Sequence, residues 1–311
     1  MMRLLIDDKE GNIHALPHGK IQLKHSIEGK VGSMEFQYFS QNEYKIENGQ
    51  VVRLEMDEEV IFYGYVFKVT KDKITCYDQL RYLKYKDSKY FDNKKASEIL
   101  SIIANENNIK TGTIEDTKYV IPKQISDEKE WLDMIVEALQ ATLLDSGRLY
   151  FLQDRAGSLE LLDIENTKLG IIIDGESTLS DYTFTKDIDT DTFNLVKLVR
   201  QNEDIEKRKE FIYQDSNNIG KWGKLQYHEI VDEKLNDAQI HKKGENLLEL
   251  KNREKMSFSL KNVIGDIRCR AGYSVFISIP EEGINGWYLI KSDTHRILDN
   301  EYLMDLELVI Y

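Results

Sequence analysis

Cysteine, proline and long apolar runs are scarce in this 311-residue chain. There are two cysteines, Cys76 and Cys269, and three prolines. The cysteines lie far apart and form no CxxC, which excludes a zinc ribbon and a thioredoxin-like motif. Two reduced, buried thiols are expected instead. With so little proline and with glycines scattered, no Pro/Gly/Ser linker marks a boundary, so boundaries must be read from changes of hydrophobic period. The longest uncharged run, 271–280, falls far short of the ~20 apolar residues of a membrane helix, so no membrane anchor is expected. The opening "MMRLLIDDKEGN" reaches Asp7 and Asp8 without an apolar core, unlike a signal peptide. The expectation is a chain made and kept in the cytoplasm unless it is exported as part of a larger particle.

Chemical motifs are missing too. The sequence holds no GxSxG, no GxxxxGK[ST], no GxGxxG and no HExxH, so no nucleophile elbow, phosphate loop or zincin helix is indicated. Of six histidines, His14 and His18 have the four-residue spacing of helical zinc ligands, but Pro17 lies between them and breaks a helix interior. No metal, cofactor or catalytic residue is expected. Acids outnumber bases 55 to 42, for a formal net charge of -13. That disfavours a nucleic-acid binder, whose affinity comes mostly from neutralising phosphates. Among so many acids a carboxylate pair for glycoside hydrolysis is always available, yet nothing marks one pair as buried, and solvated acids are the ordinary state.

What the sequence does contain is pattern. "VVRLEM" (51–56) sets Val52, Leu54 and Met56 against Arg53 and Glu55, Asn48-Gly49 before it signals a turn, and "VIFYGYVFKV" (60–69) is β-branched and aromatic. Gly64 within it indicates a bulge or a close backbone approach. The period then changes. Ala96, Ile99, Leu100, Ile103 and Ala104 fall on one helical face, as do Trp131, Ile135, Ala138, Leu139, Thr142 and Leu143. Asp127 is placed to cap the second helix, with Glu130 three residues on and Gly147 as its stop. "RLYFLQDRAGSLELLDI" reads as two strands around a turn. Strands return near 176, with Tyr273, Val275, Ile277 and Ile279 alternating in "YSVFISI", and end in "YLMDLELVIY", where Tyr302, Met304, Leu306, Leu308 and Ile310 share a face opposite Asp305 and Glu307. Between them "QNEDIEKRKE" (201–210) reads as a solvated loop or hairpin tip, and Leu235, Ala238, Ile240 and Leu247 give a helical look to a later segment.

The stretch "ITCYDQLRYLKYKDSKY" (74–90) interleaves four tyrosines with Arg81, Lys84, Lys86 and Lys89. Such a pattern suits a nucleic-acid platform or an amphipathic joint between two units. In the second case Leu80 and Leu83 dock on apolar surface while Arg81 and Lys84 reach outward.

Its continuation "YDQLRYLKYKDSKYFDNKKASEIL" resembles the strand-to-helix passage of baseplate hub proteins of contractile phage tails. The match is to the XkdQ/YqbQ type of prophage-like elements and phage-tail-like bacteriocins. "ENGQVVRLEMDEEVIFYGYVFKV" is similar to the same family upstream, and "GDIRCRAGYSVFISI" and "WYLIKSDTHRILDNEYLMDLELVIY" are similar to its closing barrel. The resemblance gives Tyr77, Asp78, Gln79, Leu80, Arg81, Tyr82 and Leu83 as a structural joint. It gives Gly265, Asp266, Ala271, Gly272, Thr294 and His295 as barrel-closing motifs. It implies an α+β, mainly β fold of two small β-barrels with an inserted α+β unit. The boundaries are then 1–80, 81–175 and 176–311, with a charged loop or hairpin near 201–221. It further implies a structural, non-enzymatic hub assembled in the bacterial cytoplasm into a virion tail or tail-like particle. There a homotrimeric ring adapts the sixfold tail tube to the threefold central spike. Tube, spike, other baseplate proteins and the tape measure protein are the implied partners. The alternative is a tail-associated peptidoglycan hydrolase, for which the chain has no spare length to hold a separate cell-wall-degrading domain.

Overall fold

The β-branched and aromatic stretches at the start of the chain form seven strands: β1 (Met2–Asp7), β2 (Ile13–Ala15), β3 (Ile21–Ser26), β4 (Ser33–Gln37), β5 (Val51–Met56), β6 (Glu59–Val69) and β7 (Lys73–Tyr77). The computed structural model describes residues 2–27, 29–38, 44–174, 181–200, 208–280, 283–298 and 301–310. Alternation brings Leu4, Ile6, Leu23, Phe36, Val52, Leu54 and Ile74 into one core. It breaks once. The β5–β6 register shifts after Leu54, so Glu55, read from the sequence as outward, is buried and meets Arg3 at 2.6 Å and Arg53 at 2.9 Å. Gly64 marks a close approach: a Cβ there would lie 2.4 Å from the Tyr77 carbonyl oxygen.

A 3-10 turn at Gln79–Leu83 leads out of β7. Then come β8 (Lys86–Lys95), α1 (Ala96–Glu106), β9 (Thr111–Ile114), β10 (Val120–Glu130), α2 (Trp131–Ser146), β11 (Tyr150–Arg155) and β12 (Ser158–Asp163). Strands β8 and β10 form an antiparallel ribbon, while β9, β12 and β11 form a small sheet. Helix α1 buries the face that its three- and four-residue spacing predicts. Helix α2 buries Trp131, Ile135, Ala138 and Thr142 and ends on Gly147 at φ 69°. Its start differs from the expected cap. Strand β10 stays paired to β8 as far as Glu130, so the helix cannot begin earlier, and the Asp127 carboxylate accepts from the Ser88 hydroxyl instead.

The rest of the chain forms β13 (Lys168–Asp174), β14 (Asp181–Asp187), β15 (Leu195–Arg200), β16 (Glu210–Gln214), α3 (Ser216–Trp222), β17 (Gln226–Val231), α4 (Asp237–Lys251), β18 (Lys255–Ile264), β19 (Ser274–Ile279), β20 (Ile284–Leu298) and β21 (Glu301–Val309). Strands β15, β16 and β17 make a second small sheet, and α4 packs on it through Ile240 and Leu247. Ala238 of that helix faces solvent. Residues 201–207 of the charged segment lie outside the described residues, while Glu210 opens β16, which pairs antiparallel with β15. Asn246 of α4 donates to the Leu144 and Asp145 carbonyls at the end of α2, tying the two small sheets' helices together.

The fold is mainly β with an α+β insertion, and β20 holds it together. Residues 284–289 pair with β19, while 292–297 pair with β3, Ser292 facing Ser26 and Ile297 facing Ile21. Strands from both ends of the chain therefore share one thirteen-stranded sheet.

Leu83, fully buried in the core shared by the 3-10 turn, α1 and α2, sets the first prediction. Leu83→Ala should lower the unfolding free energy by about 2–5 kcal/mol through lost burial and a residual cavity, read from the shift of the urea midpoint at constant slope.

Candidate functional site

The two groups of motif residues meet at one place, a buried charged junction among the N-terminal strands, the insertion and β20. Tyr77 ends β7, paired with Ser33 and Tyr65. Asp78 is buried. Its Oδ2 accepts from the Gly32 N–H at 2.9 Å and its Oδ1 from the Leu80 N–H at 3.0 Å. A Cβ on Gly32 would sit 2.3 Å from that carboxylate, so the loop before β4 needs glycine there. The Gln79 amide donates to Asp154 of β11 at 2.9 Å. Leu80 and Leu83 point into the insertion's core. Arg81 and Tyr82 point the other way: the guanidinium lies 5.3 Å from the Phe67 ring centre, and the Tyr82 ring 5.0 Å from Tyr65.

The second group approaches from the C-terminal strands. The Gly265 N–H donates to the Tyr302 carbonyl at 2.8 Å. Asp266 holds Arg268 at 2.6 Å in the turn that follows. The Ala271 N–H donates to Asp293 Oδ1 at 2.7 Å. Gly272, at φ 93°, faces the Phe151 ring so closely that a Cβ would come within 2.1 Å, and its carbonyl accepts from the Thr167 hydroxyl at 2.7 Å. Thr294 sits opposite Lys24 of β3. His295 is fully buried: its Nε2 lies 3.1 Å from the Cys269 carbonyl and its Nδ1 2.9 Å from the Tyr302 hydroxyl. The carbonyl can only accept, so Nε2 carries the proton and Nδ1 accepts from Tyr302.

Four residues absent from the motif set complete the junction: His25, Asp154, Arg270 and Asp293. His25 Nδ1 lies 2.8 Å from Asp293 Oδ2, and Arg270, 4% exposed, donates to the Asp154 carbonyl at 3.2 Å. Burial pushes the Asp78 carboxyl well up, and the nearby Asp154 charge pushes it further; Asp154 itself is raised by burial. Burial also acts to raise Asp293, but His25, His295 and Arg270 outweigh it and hold that carboxyl below its ordinary range. Burial lowers both histidines and Arg270. One sequence signal could have found Asp293. Asp293, His295 and Ile297 alternate inward on β20, and an acid on the inward face of a strand requires a buried partner.

A glycoside hydrolase uses two carboxyls, one with a raised pKa as acid and one ionised as base or nucleophile, whereas burial raises both Asp78 and Asp154. Here the space beside Asp78, Asp154 and Arg270 is about 20 Å³, room for roughly one water and not for a sugar ring. Among the described residues no group of three or more His, Cys, Asp or Glu side chains could hold a metal ion. The arrangement binds chain to chain, holding loops from three parts of the sequence against one another.

The model of a family described as YQBQ-like matches residues 21–309, a span that contains every residue of the junction. The chain belongs to the YQBQ-like family. Two curated relatives come from Bacillus subtilis (strain 168). YqbQ is 30% identical over 272 residues, covering 86% of this chain and 82% of the relative. The phage-like element PBSX protein XkdQ is 30% identical over 277 residues, covering 86% and 84%. Among solved structures, the prophage MuSo2 43 kDa tail protein of Shewanella oneidensis is similar to this YQBQ-like chain. Its TM-score is 0.71 at 16% identity, over 99% of this chain and 98% of that one. The tail protein of Neisseria meningitidis MC58 gives 0.72 at 11% identity, over 99% and 96%. The YQBQ-like chain therefore has the fold of prophage tail proteins along its whole length.

The junction histidines give a pH prediction. Each is held neutral in the fold below the ordinary value of 6.5, so the unfolded chain binds more protons and stability falls as pH drops through 6.5. The raised carboxyls Asp78 and Asp154 act in the opposite direction, so the test is differential. In urea unfolding from pH 8 to pH 5, the wild type's advantage over His25→Gln should shrink as pH falls below 6.5. Parallel curves for the two proteins would contradict the assignment.

Proposed function

We propose that this YQBQ-like chain is a structural baseplate hub protein of a contractile phage tail or phage-tail-like particle. Three copies form the ring that adapts the sixfold tail tube to the threefold spike. The observation that carries the reading is the end-to-end likeness to prophage tail proteins, 99% of this chain against 98% of the Shewanella protein. Kinship with a protein of a phage-like element at 30% identity adds to it. The Escherichia coli c3393 protein also supports it. That protein is described as a type VI secretion component with structural similarity to the T4 tail proteins gp27 and gp5, and it matches 99% of this chain at a TM-score of 0.59.

The physical character of the molecule suits a part that bears load. Both ends of the chain share one sheet through β20 and β3, and the insertion is fastened to that sheet by a buried hydrogen bond from the Arg270 guanidinium to the Asp154 carbonyl. Such bonds are roughly twice as strong as neutral ones. The role is non-enzymatic: the carboxyl pair that could serve hydrolysis lies beside a space of about 20 Å³. Tube, spike, tape measure protein and neighbouring baseplate proteins are the partners of this reading.

Multi-angle light scattering on the purified chain, alone and mixed with its spike protein, tests it. The expected mass is three times 36.4 kDa per assembly. A stable dimer at every concentration would contradict the ring, and clearing of peptidoglycan in a zymogram would contradict the non-enzymatic role.

A further inference from the structure

One groove and one hairpin tip remain without a task. The groove, about 390 Å³, lies between β6, the 3-10 turn and the end of α1, and is lined by Tyr65, Phe67, Arg81, Tyr82, Tyr85 and Asn107, among others. Its volume falls within the range of ligand sites, ~300–1,000 Å³. Tyr82 and Tyr85 are 42% and 50% exposed. Lys84 at its rim is paired to Glu130 at 3.0 Å. Arg81 is different: its guanidinium lies over Phe67 and, among the described residues, meets no carboxylate. An unpaired guanidinium over aromatic rings is a receptor for an anion.

The tip joins β5 to β6. Met56 pairs with Glu59, so Asp57 and Glu58 form a two-residue turn, with φ 49° and 74°. Such a turn favours Asn-Gly, because both central residues need positive φ. The sequence instead puts Asp-Glu there and follows it with Glu59. Three successive acids repel one another, and Glu58 and Glu59 are exposed with no cation partner among the described residues. A tip that breaks both the turn preference and the charge preference is where function is expected.

We propose that the acidic hairpin tip of one copy docks in the aromatic, basic groove of the next, Glu58 and Glu59 facing Arg81. The inference rests on the ring reading above and adds its contact. Charge complementarity selects the occupant: the groove offers a cation with no carboxylate among the described residues, and the chain, at net -13, offers the exposed acids Glu58 and Glu59 at a hairpin turn. A copy cannot fill its own groove, since Glu58 and Tyr65 are separated by seven strand residues, roughly 23 Å at 3.3 Å per residue. Contact between two different patches is head-to-tail, the kind that closes a ring when the rotation permits.

A disulfide trap tests this on the full chain. Glu58→Cys and Tyr82→Cys, combined in one chain, should cross-link copies under mild oxidation, in a ladder that stops at three. The native thiols are fully buried and do not compete, and an internal bond is excluded because a disulfide needs Cα atoms within ~7 Å. Arg81→Glu and Glu58→Lys/Glu59→Lys should each weaken assembly at least about tenfold, as like charges brought together do. The three changes combined should restore it. Circular dichroism of each variant checks that it is folded. A trimer that forms without the cross-link and ignores both charge reversals overturns the docking and leaves the ring intact. A chain that stays monomeric alone and with its spike overturns both.

Discussion

Asp293 is a carboxylate with almost no exposure on the strand that joins the two parts of the sheet. Leaving such a charge unpaired inside a protein is costly, by several kcal/mol. The structure around it is arranged so that it never is: His25 reaches it from β3, the Ala271 N–H from the loop before β19, and His295 lies 3.3 Å away. Each of these partners belongs to a different segment. Satisfying one charge therefore fixes the N-terminal strands, the 265–272 turn and β20 relative to one another.

The same logic runs outward. Arg270 sits between Asp293 and the insertion, where it donates to the Asp154 carbonyl, and Gln79 bonds the Asp154 carboxylate. Asp78 caps the 3-10 turn and holds the Gly32 N–H. The insertion is thus joined to the sheet by buried polar groups and by Leu80 and Leu83, whose burial is roughly 2 kcal/mol each. Directional polar bonds set the angle of attachment, and the leucines supply most of the affinity. Glycine at 32 and 272 is required by the same closeness, since a Cβ at either place would meet Asp78 or the Phe151 ring.

This division of labour has a mechanical consequence. A sheet continuous across both chain ends can transmit force through its backbone hydrogen bonds. The proposed tip and groove lie at opposite stretches of the β5–β6 hairpin, so a ring built through them would run along those two strands.

The sequence by itself determined what depends on near neighbours. The faces of α1 and α2, the Gly147 stop, the alternation in β19 and β21, and the burial of Leu80 and Leu83 all follow from residues within a few positions of each other, because helical and strand periods are local. Only the tertiary structure decided the rest. Asp127 lost its capping role to the pairing of β10 with β8, Glu55 was turned inward by a register shift, and β16 and β17 were brought to either side of β15. The junction of His25, Asp78, Asp154, Arg270 and Asp293 joins positions up to 268 residues apart. No period or motif spans that distance; partners so remote are chosen by the requirement that a buried charge be met, and that requirement exists only once the chain has folded.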